Sequence, residues 1–247
     1  MKYLLFILTY SWRLTSICAI FGSANFNTYK KLYGLCKERG DFAYGSIYVS
    51  NKQEGTFFIT CKSESTINLE TSDHFVYEGT NFPLSQMDFY LGHTQAPTSS
   101  ERKYTHKTSH PFRCGDWFVA HNGVLTNFDY LKTIIKNPKK YNNVDSSIIP
   151  ALLDFFSKEY DDEIVVISKT LSLLKGTYGL WIFNGISGNV YLARCGSTVY
   201  CNMLTNDFSS LPYKKYVPLE EGLVYLLTSE GTTSVGTFES DSPFFIL

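Results

Sequence analysis

Residues 126–174 carry three successive helical patterns, and short apolar runs bounded by turn residues lie on both sides of that block. A strand crosses a sheet in roughly four to eight residues, whereas a packed helix needs about ten or more. This order of elements therefore confines the chain to helices packed on sheets, the α+β class. The first helix of the block starts near Thr126, places Tyr130, Leu131, Ile134 and Ile135 together, and stops at Asn137-Pro138, where proline disfavours helix in the residue before it. A second, after Asp145, aligns Ile148, Ile149, Leu152, Leu153 and Phe156, and a third, after Asp161-Asp162, aligns Ile164, Ile167, Leu171 and Leu174. An earlier helix, capped by Asn25 or Asn27, carries Tyr29, Leu32, Tyr33 and Cys36 on one face and ends near Arg39-Gly40.

The strand-like runs begin at 17–23. Runs 46–50 and 56–61 read as a hairpin about the polar turn 51–55, while 62–86 gives only weak signals. Run 89–94 is a buried strand followed by a polar loop, 97–110. Run 116–121 is another, stopped by the turn pair Asn122-Gly123. After the helices come 179–183, 190–193, 198–201 and 223–227. No repeat or linker divides them, so one domain of largely antiparallel sheets is expected.

Composition narrows the functions open to such a domain. Hydrophobic residues make up 44% of the chain and aromatic residues 16%, enough for a substantial core and too much for disorder. A net charge of -1 argues against nucleic-acid binding, which needs a clustered basic face, and Lys139-Lys140 and Lys214-Lys215 read as solvated pairs. The six cysteines show no CxxC spacing and no Cys/His cluster, so no metal or organic cofactor is expected and a reduced, cytoplasmic setting fits them. Residues 1–17 open like a secretory signal, but the apolar run is short, Trp12-Arg13 interrupts it, and it cannot span a bilayer. They read as a leader or propeptide, or as a start placed upstream of the true one, ahead of a domain at 18–247.

Cys18 heads the first strand-like run. Alone, a cysteine in an apolar strand is a small core residue, His93 is a hydrogen-bonded core histidine, and Asn122-Gly123 is a turn. The same holds for Asp145, whose simplest role is a helix N-cap. Their order is more informative. The series runs Cys18-Ala19-Ile20-Phe21-Gly22, Arg39-Gly40-Asp41-Phe42-Ala43-Tyr44-Gly45, Gly92-His93-Thr94-Gln95-Ala96-Pro97-Thr98, then Ser109-His110-Pro111. Ala120-His121-Asn122-Gly123, Val144-Asp145-Ser146, Lys175-Gly176-Thr177-Tyr178-Gly179, Arg194-x-Gly196-Ser197 and Leu219-Glu220-Glu221-Gly222 follow. Together these resemble the class II glutamine amidotransferase domain of the N-terminal nucleophile (Ntn) hydrolases, as found in glucosamine-6-phosphate synthase and amidophosphoribosyltransferase.

The resemblance implies a four-layer αββα sandwich and a definite chemistry. Amide hydrolysis needs a nucleophile, a base and donors aimed at the developing oxyanion. In the family the nucleophile is an N-terminal cysteine whose own α-amine is the base. That amine titrates near pH ~8, close enough to neutrality to shuttle a proton. Cys18 takes the first role, and the Asn122 side chain with the Gly123 N–H forms the oxyanion hole. Arg39, Gly40, Gln95, Thr98, His110 and Asp145 line the substrate pocket, Asp145 holding the glutamine α-amino group. Two departures stand out. Residues 1–17 precede the nucleophile, so active protein is expected to begin at Cys18. Gln95 occupies a position where the family has an arginine for the substrate α-carboxylate. Charge-assisted bonds contribute ~1.5–3 kcal/mol and neutral ones ~0.5–1.5, so this exchange is expected to weaken glutamine binding about tenfold unless Arg102 or Lys103 compensates. The implied partners are glutamine or another γ-glutamyl amide, and a separate synthase subunit that consumes the ammonia. The alternatives are a stand-alone γ-glutamyl amide hydrolase and an inactive binding module.

Overall fold

Ile20 and Phe21 are neighbours in the chain but pack into different hydrophobic layers, and the same alternation recurs in strand after strand. The computed structural model describes residues 18–52, 55–65, 67, 69, 74–77, 80–96 and 105–240. β1 (Ala19–Ser23) leads to α1 (Phe26–Lys37), then to the hairpin of β2 (Ala43–Lys52) and β3 (Gly55–Ser63). A small separate hairpin, β4 (His74–Tyr77) and β5 (Thr80–Pro83), precedes β6 (Phe89–Gln95), β7 (Phe112–Cys114) and β8 (Trp117–Leu125). The helical block is α2 (Phe128–Ile134), α3 (Ile148–Phe156) and α4 (Glu163–Leu173). β9 (Gly176–Asn184), β10 (Val190–Cys195), β11 (Tyr200–Asn202) and β12 (Asp207–Ser209) come next, followed by β13 (Val217–Pro218), β14 (Leu223–Thr228) and β15 (Gly231–Thr237).

Among the described residues the strands form a seven-stranded sheet, β13-β11-β12-β1-β6-β2-β3, and a six-stranded sheet, β15-β14-β10-β9-β8-β7. Both are antiparallel throughout. Ile20, Ile47, Val49 and Leu91 of the first face Phe118, Ala120, Trp181, Phe183 and Leu192 of the second. On the outer side of the first sheet, Phe21, Tyr44, Tyr48 and Tyr90 pack on Tyr29, Leu32, Tyr33 and Cys36 of α1. The other side of the second sheet packs on α3 and α4 through Val119, Leu180, Ile182 and Tyr191. The result is the αββα sandwich, each large apolar side chain adding about 1.5–3 kcal/mol of burial.

Local chemistry supports these layers. The Asn25 side chain caps α1 by accepting from the Thr28 N–H at 3.0 Å, and Asp162 caps α4 by accepting from Ile164 N–H at 2.8 Å. The tyrosine-rich outer layer satisfies its own hydroxyls, Tyr29 with Tyr44 at 2.7 Å and Tyr44 with Tyr48 at 3.0 Å. Burial pushes the Tyr48 phenol up to about 12, so it stays neutral.

Several details depart from the sequence reading. Asn122-Gly123 is not a turn: β8 runs through it, with Asn122 opposite Gly179 and Gly123 opposite Tyr178. Gly123 has φ +150°, and a Cβ there would lie 2.0 Å from the Thr177 carbonyl oxygen. The glycine serves close backbone approach inside a sheet. Leu131 is the buried residue of the short α2, with Ile135 buried just past its end, and Tyr130 is 57% exposed. The turn containing Asp145 is 3-10 rather than an α-helical start, and Asp145 is its first residue, not its cap. Lys140 pairs with Asp154 instead of standing free in solvent.

The Trp181 indole N–H donates to the Gly92 carbonyl at 3.0 Å, joining the two sheets through their shared core. Trp181→Phe should keep most of the packing, orphan that bond and lower the unfolding free energy by about 1–3 kcal/mol in urea titration.

Candidate active site

The register that sets Ala19 opposite Thr94 brings Cys18 beside Gln95 at the end of β6. Cys18 is 8% exposed. The Gln95 side-chain amide donates to Cys18 Sγ at 2.9 Å and to the Ala96 carbonyl at 3.3 Å. Its Oε1 lies 3.1 Å from His110 Nδ1. His110 is buried, with its ring stacked on His93 at 4.0 Å between centroids and edge-on to Phe112 at 4.7 Å. The backbone of this loop sits where a side chain at position 45 would be, since a Cβ on Gly45 would fall 1.9 Å from the His110 carbonyl oxygen.

Arg39 and Gly40 form the turn after α1 and lie against the same strand end. The Phe42 N–H donates to the Gln95 carbonyl at 3.1 Å, and a Cβ on Gly40 would meet Ala96 N at 2.5 Å. Arg39 is half-buried, and its Nε is enclosed without a hydrogen-bond partner. Burial lowers its guanidinium pKa, opposed by the neighbouring Cys36 and Cys18 sulfurs.

Asn122 enters from the other sheet. Alternation along β8 puts Phe118, Ala120 and Asn122 on the face toward β1. The Asn122 amide donates to Ser210 Oγ at 3.2 Å, and the same oxygen accepts from Ile20 N–H at 3.0 Å. Ser210 N–H returns a bond to the Ile20 carbonyl at 2.9 Å. Asn122 Oδ1 is buried without a partner. Carbonyl and amide ends of such a side chain are interchangeable in shape. Turned over, the amide would accept from the Ser210 hydroxyl and present its NH2 where Oδ1 now lies.

The opposite face of β8 is tied to Asp145. Asp145 Oδ2 accepts from Leu125 N–H at 2.9 Å and Oδ1 from Ser146 N–H at 2.8 Å. His121 Nε2 is 3.0 Å from the Thr177 carbonyl, so that nitrogen carries the hydrogen and Nδ1 accepts from Ser146 Oγ at 2.8 Å. The strand that carries Asn122 and Gly123 is thus fixed on both faces. Cys18, Arg39, Gly40, Gln95, His110 and Asn122 converge, Asp145 is wired to the end of the same strand, and Thr98, Arg102 and Lys103 lie outside the described residues. Among the described residues no group of three or more His, Cys, Asp or Glu side chains is placed to hold a metal ion, and no helix is long and apolar enough to cross a membrane.

No protein-family model matches the chain. It is similar to the glutamine–fructose-6-phosphate aminotransferase of Listeria monocytogenes, 28% identical over 153 residues, which is 58% of this chain and 25% of that protein. The enzyme of the same name from Francisella tularensis is 28% identical over 178 residues, 66% of this chain and 27% of that protein. A solved structure of the glutamine phosphoribosylpyrophosphate amidotransferase of B. subtilis superposes with a TM-score of 0.63 at 20% identity, over 89% of this chain and 48% of that one. The chain is thus similar in sequence to part of these aminotransferases and shares the fold of an amidotransferase. It spans about a quarter of the length of the curated relatives it matches.

At this site Ser210 is the residue that sequence reasoning misses. It follows the short polar strand β12, whose sequence Asp207-Phe208-Ser209 has no alternating apolar pattern. Burial lowers the His121 pKa from its ordinary value of 6.5, only partly opposed by Asp145 and the Thr177 carbonyl. A histidine depressed in the folded state contributes stability that is fully present above its unfolded pKa and is lost as pH falls through the folded one. Unfolding free energy should therefore fall as pH drops below 6.5. His121→Gln should flatten that part of the profile, as measured by urea unfolding from pH 7.5 to 5.

Proposed function

We propose that this chain is a glutamine-hydrolysing domain that releases ammonia for an acceptor-activating synthase partner in a reduced, cytoplasmic setting. Cys18 attacks the glutamine side-chain carbonyl after residues 1–17 are removed, and its freed α-amine accepts the thiol proton and passes it to the departing ammonia. The Asn122 amide and the Gly123 N–H stabilise the oxyanion, and water then hydrolyses the thioester to glutamate. Asp145 holds the substrate ammonium. Its two oxygens already accept from Leu125 and Ser146, but a carboxylate has about four acceptor positions and retains room for one more donor. Arg39, Gly40, His110 and Thr98 shape the pocket, with Gln95 beside the nucleophile.

The observation that supports this reading most directly is the shared hold of Ser210 on Ile20, two residues after the proposed nucleophile, and on the Asn122 amide. That one hydroxyl couples the nucleophile strand to the proposed oxyanion donor and so holds the two in the fixed relation that acyl transfer uses. The names of the sequence relatives, which pair glutamine with a sugar phosphate, support an ammonia-consuming partner activity over a stand-alone hydrolase or an inactive module.

Intact mass and N-terminal sequencing of the expressed chain, followed by glutaminase assay, test the proposal. Protein starting at Cys18 should release glutamate and ammonia from glutamine, Cys18→Ala should abolish this, and protein retaining residues 1–17 should be inactive. Activity in a preparation that still carries them would refute the N-terminal mechanism. Asn122→Ala in the mature form should lower kcat by roughly 10²–10³ with little change in KM.

A further inference from the structure

Gln95 replaces the cation that the family resemblance puts at its position, and its side chain is committed to the nucleophile. The orientation of its amide is decided chemically. The end 3.3 Å from the Ala96 carbonyl must be the NH2 group, because a carbonyl only accepts. The second hydrogen of that NH2 is then the one directed at Cys18 Sγ, 2.9 Å away. The other end, Oε1, faces His110 Nδ1 at 3.1 Å, which requires the hydrogen of His110 on Nδ1. His110 in turn is held by its stack on His93 and by the close passage of its backbone over Gly45.

From this geometry we propose that Gln95 is a catalytic residue that stabilises the Cys18 sulfur anion by hydrogen bonding, and that His110 is the positioning residue that aims it. The proposal rests on Cys18 being the nucleophile, as argued above, and changes what Gln95 does. A thiol sulfur is a weak acceptor and a thiolate a much stronger one, so a fixed N–H donor favours the ionised form. The amide supplies this without adding a charge. The charged or titratable groups near the same sulfur are Arg39 from the turn after α1, His93 on β6, His110, and the α-amine of Cys18 itself once it is free; Asn122 and Ser210 across the cleft are neutral. A further consequence is that Gln95, with its donors used by Sγ and Ala96, does not serve as the anchor for a substrate α-carboxylate.

The test is the pH dependence of Cys18 alkylation by iodoacetamide in the full chain, read by peptide mass spectrometry so that the other five cysteines are scored separately. This readout needs no glutaminase activity, so a failure of wild-type protein to hydrolyse glutamine would count against the function and leave this result independent of it. Gln95→Met, similar in size and lacking the donor, should raise the alkylation midpoint by roughly one pH unit, or about tenfold less reactive thiolate near neutrality. Gln95→Glu should raise it further by placing a carboxylate beside the sulfur. His110→Ala should shift it in the same direction by less, and His110→Gln, which restores a donor to Oε1, should recover part of the loss. A wild-type midpoint in either folded Gln95 variant would overturn the proposal. So would a rise in KM for glutamine with that midpoint unmoved, which would return Gln95 to the substrate.

Discussion

Two antiparallel sheets pressed face to face must interdigitate their side chains, and strand geometry allows every second residue into the shared layer. That constraint places the site. Ile20, Leu91 and Ala120 are in the layer between the sheets, and Cys18, Gln95 and Asn122 stand an even number of residues away on the same three strands or their immediate ends. The candidate site is the polar end of the hydrophobic layer. The apolar part holds the sheets at a fixed separation, and the polar part inherits that separation.

Such a layer tolerates polar groups only if they are bonded, since an unmet buried donor or acceptor costs about 1–3 kcal/mol. Ser210 meets this demand for the Ile20 backbone and for one end of Asn122, and Gln95 meets it between Cys18 and His110. The outer end of the Asn122 amide and Arg39 Nε are left unpartnered. With the Asn122 amide turned over, that unmet end is an NH2 donor, the kind of group an oxyanion site would hold in reserve at a cost in stability carried by the surrounding core.

Much of this was legible in the sequence, and the gaps follow a physical pattern. The period of 3.6 gave α1 its buried face, Tyr29, Leu32, Tyr33 and Cys36, and the caps at Asn25 and Asp162 are used as their side-chain chemistry suggests. The αββα sandwich agrees with expectation. Reading Asn122-Gly123 as a turn failed because local propensity yielded to nine residues of pairing with β9. β7, β12 and β13 were invisible because two or three residues carry no period, and β15 because Gly231-Thr232-Thr233-Ser234-Val235-Gly236-Thr237 has no apolar alternation. Ser210 and the direction of the Gln95 amide are properties of tertiary contact, and no local pattern encodes them.

β1 is a central strand, paired along five positions with β6 and flanked on its other side by β12. Chain ends usually fray, and a reactive group on a fraying end would lose its orientation between encounters. A chain starting at Cys18 would escape this, because its second and third residues are already held, Ala19 opposite Thr94 and Ile20 through Ser210. The entropy of ordering such a terminus is spent when the sheet assembles, before any substrate arrives.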